Sequence, residues 1–166
     1  MKTLFLIRHA KSSWGSPELA DIERLLNERG ERDAPEMGRR LATRGVKPDI
    51  LVSSPARRAY TTAQLIATEI DYPEDKIRQK PELYYDGNYG MMSVIHWLPP
   101  EASIAMLFSH NPTITETVNA LANAMLANMP TCGVAEIQFD VKSWDEVKIG
   151  AGKMQLFDYP KRVEEG

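Results

Sequence analysis

Short, uninterrupted apolar runs alternate along the chain with longer segments whose apolar residues recur every three or four positions. Leu4 to Ile7, Ile50 to Val52 and Ile104 to Phe108 contain no polar residue, the pattern of strands buried on both faces. Between them, Glu31 to Arg44 places Ala34, Met37 and Leu41 on one helical face, with Gly45 and Pro48 as stop signals. Ala56 to Ile70 does the same with Ala59, Ala63, Ile66 and Ile70, opened by Ser54 as N-cap and Pro55 in the first turn. From Pro112 onward the face is Ile114, Val118, Leu121 and Met125, with Asn111 and Pro112 in matching opening positions. Met91 to Leu98 predicts a shorter helix ended by Pro99 and Pro100. Val134 to Phe139 and Met154 to Tyr159 predict two strands joined by a polar connection, a terminal hairpin. The alternation predicts an α/β fold, a three-layer α/β/α sandwich around a mainly parallel central sheet. No repeat or composition break marks a linker, so the expectation is a single domain over residues 1–160 and a frayed tail over 161–166.

Composition narrows the function. A chain of 166 residues, 43% apolar, is long enough for a full core. With 20 basic and 23 acidic side chains the formal charge is −3, which supplies no global field for nucleic acid or anionic lipid. An anion site must therefore be local. The single cysteine, Cys132, excludes an internal disulfide framework and a cysteine-based zinc site, and reads as a small buried hydrophobe. The first apolar run is too short for a signal-peptide core and none is long enough to span a bilayer, so the expectation is a soluble protein of a reducing cytoplasm.

Chemically distinctive residues share one address. His9 follows the first apolar run, Arg57 and Arg58 follow the second, and His110 ends the third. Ligands of open parallel sheets bind outside the carboxyl ends of the strands, so these side chains are expected to converge, with helix N-termini adding unpaired N–H groups. The ligand this suggests is phosphate. Arg8 and Arg58 offer planar donor forks of permanent charge. His9 can attack phosphorus only through a neutral ring nitrogen, which cationic neighbours favour. His110, protonated or suitably oriented, can stabilise charge spreading onto an equatorial oxygen. Neutralisation by these cations requires no metal or other cofactor. Ser12 and Asn111 are further candidates for phosphate contact, as are Lys11 and Ser13, although a polar loop would look the same.

Leu6-Ile7-Arg8-His9-Ala10, Leu26-Asn27-Glu28-Arg29-Gly30, Ser53-Ser54-Pro55-Ala56-Arg57-Arg58-Ala59 and Ser109-His110-Asn111-Pro112 together resemble the blocks of the histidine phosphatase superfamily, in particular its small SixA-like phosphohistidine phosphatase branch. Ala10 stands where the family usually has glycine. The resemblance covers nearly the whole chain and implies a phosphoglycerate mutase-like fold, with His9 as covalent nucleophile and Arg8, Arg58 and His110 around the phosphoryl group. Motif register selects Arg58 over Arg57, which reads as a surface charge. Mutase-like relatives protonate the leaving oxygen with an acidic residue from the region that here contains Pro81-Glu82-Leu83, so Glu82 is the candidate general acid and Asp86 its alternative. Leu26 to Gly30 matches the segment before the family's first helix. Only about thirty residues separate Ile70 from Ser103, too few for the large helical lid of mutase-type relatives. An open site implies phosphohistidine on a partner protein as substrate. The alternatives are small phosphate esters such as sugar phosphates and, in another class, a non-catalytic phosphate-binding module.

Remaining features have ordinary readings. His96, beside Trp97, is expected to be a partly buried structural histidine. Arg29, Arg32, Arg39, Arg40 and Arg44 are interleaved with acids, a solvated helix surface. Met91, Met92, Met125 and Met129 read as core filling.

Overall fold

The computed structural model describes residues 1–14 and 17–162. Along them run β1 (Lys2–Arg8), α1 (Glu28–Thr43), β2 (Ile50–Ser53), α2 (Arg57–Glu69), β3 (Arg78–Gln79), α3 (Glu82–Tyr85), α4 (Gly87–Trp97), β4 (Ile104–Ser109), α5 (Thr113–Ala122), β5 (Val134–Phe139) and β6 (Lys153–Asp158). The strands form one sheet in the order β3-β2-β4-β1-β5-β6. β3, β2, β4 and β1 are mutually parallel, whereas β5 pairs antiparallel with β1 and β6 antiparallel with β5.

Alternation along β1 sorts the core into two layers. Leu4 and Leu6 pack with Ile114, Val118 and Leu121 of α5 and Val94 and Ile95 of α4. Phe5 and Ile7 pack on the other face with Met37 and Leu41 of α1 and Ala63 and Ile66 of α2. Successive strand residues point to opposite faces, so an all-apolar strand needs a helix layer on each side. The three-layer α/β/α sandwich with no large lid insertion is the observed fold.

Several local boundaries differ from those the periodicity predicts. α1 starts at Glu28 because the Asn27 side chain accepts a hydrogen bond from Gly30 N–H, so the Leu26 to Gly30 block runs into the first turn of the helix. Ser54 does not cap α2. Its hydroxyl accepts from Ala56 N–H, and Ala56 itself precedes the helix at Arg57. α5 closes at Ala122 with Asn123 in the left-handed conformation, which leaves Met125 outside the helical face and 96% exposed. α4 begins at Gly87, earlier than its apolar residues indicate. The connection between β5 and β6 is not wholly polar, since Trp144 and Val147 are buried and Trp144 Nε1 donates to Ala102 O. His96 is exposed, although its Nε2 lies 2.9 Å from Val147 O. Of the tail expected to fray, residues 163–166 lie outside the described residues.

One glycine is fixed by close approach. A Cβ on Gly30 would collide with Lys11 O, and the same carbonyl accepts from Asn27 N–H. Gly30→Ala is expected to destabilise the protein by about 1–3 kcal/mol through overpacking of backbone on backbone, read as a lower urea midpoint at unchanged m-value.

Candidate functional site

The register of the sheet brings the site together. Arg8 is paired with Ser109, and Ser53 with Phe108, so the loops that leave β1, β2 and β4 emerge side by side. His9 is then held by its backbone: its N–H donates to Ser109 O and its carbonyl accepts from Cys132 N–H. Ala10 N–H donates to Thr62 Oγ1, whose hydroxyl donates to Arg58 O, tying the loop to the first turn of α2.

His9 is 7% exposed, and its Nδ1 lies 2.7 Å from Ala10 O. A carbonyl only accepts, so the proton is on Nδ1 and Nε2 keeps its lone pair. Burial pushes the His9 pKa down to about 4, assisted by Arg58, Arg8 and Arg24 and opposed by the Ala10 carbonyl. His110 stands with its ring 5.2 Å from that of His9, and its Nε2 lies 2.7 Å from Ser54 Oγ. Burial, the His9 ring and Arg58 lower its pKa to about 3. His110 is therefore neutral at physiological pH, and a protonated His110 is not the ground state.

Three arginines surround the rings. Arg8 Nη1 donates to Met129 O at 2.9 Å. Arg58, 6% exposed, donates from Nη1 to Asp21 O and from Nη2 to Asp21 Oδ2. Arg24 donates from Nε to Asp21 Oδ1 and from Nη1 to Ser12 Oγ and Ser13 O. Buried Arg8 Nε, Arg58 Nε and His110 Nδ1 have no hydrogen-bond partner among the described residues. Unpaired buried donors are costly in a finished core, and here they suit an anion supplied from outside.

Arg8, His9, Ser12, Arg58, His110 and Asn111 all line one cavity of about 200 Å³, together with Lys11, Trp14, Arg24 and Thr131. A larger groove of about 710 Å³ lies elsewhere, between α1 and β6, and contains no histidine. Glu82 does not line the cavity. It opens α3 and pairs with Lys80 at 3.3 Å, while Leu83 beside it enters the core. Asp86 follows α3 as an exposed residue. Asn111 has its side-chain N–H groups on Asn128 Oδ1 and Met129 O, and its Oδ1 accepts from Thr115, so it braces the wall of the cavity. Arg57 is exposed. The sequence reading missed Arg24, Asp21 and Tyr84, whose hydroxyl donates to Asp21 Oδ2 at 2.7 Å. The Asp21-x-x-Arg24 spacing is the only sequence signal for the first two, and it reads equally well as a solvated ion pair.

Comparison with known proteins identifies the family and the fold. The family profile described as the histidine phosphatase superfamily (branch 1) matches residues 4–93. An uncharacterised chloroplastic protein of Arabidopsis thaliana is 30% identical over 153 residues, 87% of this chain and 70% of that one. A 2,3-bisphosphoglycerate-dependent phosphoglycerate mutase of Thermobifida fusca is 37% identical over 73 residues, 42% of this chain but 29% of the mutase. The crystal structure of a protein assigned as phosphohistidine phosphatase SixA, from Agrobacterium tumefaciens, superposes with a TM-score of 0.81 at 28% identity, covering 96% of this chain and 98% of that one.

The buried histidines carry a pH signature. With folded pKa values of about 4 and about 3 against 6.5 when unfolded, the unfolded state binds more protons below pH 6.5. Stability is therefore expected to fall as pH drops from 6.5 toward 4, by about 3 kcal/mol at most from His9. Urea unfolding across that range should show a shallower pH slope in His9→Gln.

Proposed function

The chain belongs to the histidine phosphatase superfamily, among its small SixA-like members, and is a phosphatase; we propose that it hydrolyses phosphohistidine on a partner protein through a phosphoryl group carried on His9, without a metal. The observation that carries this reading is the His9 ring itself: its Nδ1–H is committed to the Ala10 carbonyl, and its neutral Nε2 shares a cavity with three guanidinium groups.

In the first step the Nε2 lone pair attacks phosphorus, a new N–P bond forms, and the P–N bond to the substrate imidazole breaks. The departing imidazole takes its proton from solvent. In the second step water attacks the phosphorus on His9, releasing inorganic phosphate and a solvent proton and restoring the neutral ring. Arg8 and Arg58 hold the phosphoryl oxygens through donors that include the unpaired Nε groups. Ser54 Oγ accepts from Ala56 N–H, so its own proton is free for His110 Nε2, which leaves His110 Nδ1–H to stabilise charge on an equatorial oxygen. Ser12 lines the same cavity and adds a hydroxyl proton for a phosphoryl oxygen. The compensating charge that this donor set supplies supports a reaction without a metal.

Substrate choice follows from proton supply and size. Among the described residues no carboxyl group lines the cavity, and Glu82 is paired with Lys80 outside it. An alkoxide needs such an acid far more than an imidazole, which solvent can protonate. A cavity of about 200 Å³ accommodates a phosphoryl group and little more, so the rest of the substrate lies outside it, as a protein would.

The purified protein is expected to release phosphate from a phosphohistidine protein in preference to a panel of sugar phosphates, in the presence of chelator as in its absence. Strong preference for small esters would reverse the substrate assignment. Radiolabelled phosphate should be trapped on wild type but not on His9→Ala, and Arg58→Ala and His110→Ala should each lower turnover by about a hundredfold or more. Hydrolysis untouched by His9→Ala would defeat the mechanism, and binding without turnover would mark a phosphate-binding module.

A further inference from the structure

Asp21 lies in a one-turn 3-10 segment, Asp21–Glu23, with its side chain 54% exposed, yet it gathers hydrogen bonds from the adjoining Arg24 and from two distant parts of the chain. Arg58 grips both its main-chain carbonyl, at 2.7 Å, and its Oδ2, at 3.1 Å. Arg24 donates to Oδ1 at 2.9 Å, and the Tyr84 hydroxyl donates to Oδ2 at 2.7 Å. The Tyr84 ring meets His110 edge-on, with centroids 5.5 Å apart. One phenol thus touches both the carboxylate that holds two of the arginines and the imidazole that faces His9.

A guanidinium on a flexible stem has many rotamers to lose, and an exposed carboxylate on a short turn is a poor anchor by itself. A third, neutral donor from α3 changes that. With Tyr84 fixing Oδ2, Asp21 becomes a stationary acceptor, and Arg58, bound through both terminal nitrogens, keeps one orientation with its buried Nε left for an anion. Asp21 has its pKa held down at about 2, chiefly by the Tyr84 hydrogen bond, and the same bond raises that of Tyr84. The pair therefore stays in the donor and acceptor states that hold it together throughout the neutral range.

We infer that Tyr84 is a positioning residue: through its hydroxyl on Asp21 it sets the placement of Arg24 and Arg58 around the phosphoryl group, which it does not itself touch. This rests on the phosphoryl-transfer reading of the cavity. Tyr84→Phe removes the hydroxyl and keeps the ring against His110, so the packing survives and only the hydrogen bond is lost.

The test is a double-mutant cycle of Tyr84→Phe and Asp21→Asn on the full chain, reading tungstate affinity by calorimetry, kcat and KM for phosphohistidine protein, and Tm. Tyr84→Phe is expected to weaken tungstate binding and lower kcat about tenfold each, the scale of a hydrogen bond to a charged group. Asp21→Asn should absorb that effect, so that the double variant is no worse than Asp21→Asn alone. Unchanged tungstate affinity and kcat in Tyr84→Phe, or a lower Tm with both intact, would overturn the inference, as would additive losses in the double variant. A wild type that traps no phosphate on His9 sinks the catalytic reading instead, while the tungstate comparison still judges Tyr84.

Discussion

Positive charge buried beside imidazole governs the chemistry at this edge of the sheet. Exclusion of water from the ring lowers the pKa of His9 most, and Arg58, Arg8 and Arg24 lower it further. The field that draws in a doubly charged phosphoryl group thus acts in the same direction as burial, which does most to keep Nε2 free of a proton. A nucleophilic imidazole and a cationic pocket would otherwise compete, since a protonated ring has no lone pair to offer. Here each requirement serves the other, and His110 is held neutral by the same surroundings.

That arrangement depends on the sheet more than on any loop. β1 lies between β4 and β5, and the residue after its last position is clasped by Ser109 on one side and Cys132 on the other. The nucleophile is therefore mounted on backbone hydrogen bonds to two neighbouring segments, with Thr62 coupling it to α2. Mobility there is restricted by main-chain geometry, which suits a group that must meet phosphorus in line.

Much of this was legible in the sequence because strands buried on both faces leave an unmistakable run of apolar residues, and such strands place their following residues on one edge. His9, Arg58 and His110 were found that way, through the ends of β1, β2 and β4. Asp21, Arg24 and Tyr84 were not, because they lie in polar or short-helical segments where no periodicity fixes direction, and only tertiary contact reveals that Asp21 is shared. Glu82 shows the converse. The resemblance to mutase-like relatives suggests it as general acid, but Glu82 pairs with Lys80 while Leu83 beside it is buried. Met125 failed for a related reason: continuing a helical wheel past Ala122 ignores that Asn123 ends it.

The antiparallel direction of β5 has a consequence of its own. Because β5 enters the sheet at Val134, opposite Ile7, the segment before it must return to the same edge that the parallel strands exit. Residues 128–132 thereby supply Met129 O for Arg8, Thr131 for the cavity and Cys132 N–H for His9. A reversed strand thus closes one side of the pocket with a stretch whose length the sheet does not dictate. Insertions or deletions upstream of Met129 could reshape what the pocket admits while leaving the nucleophile's mounting untouched, making this wall the natural place for related chains to diverge in the molecules they accept.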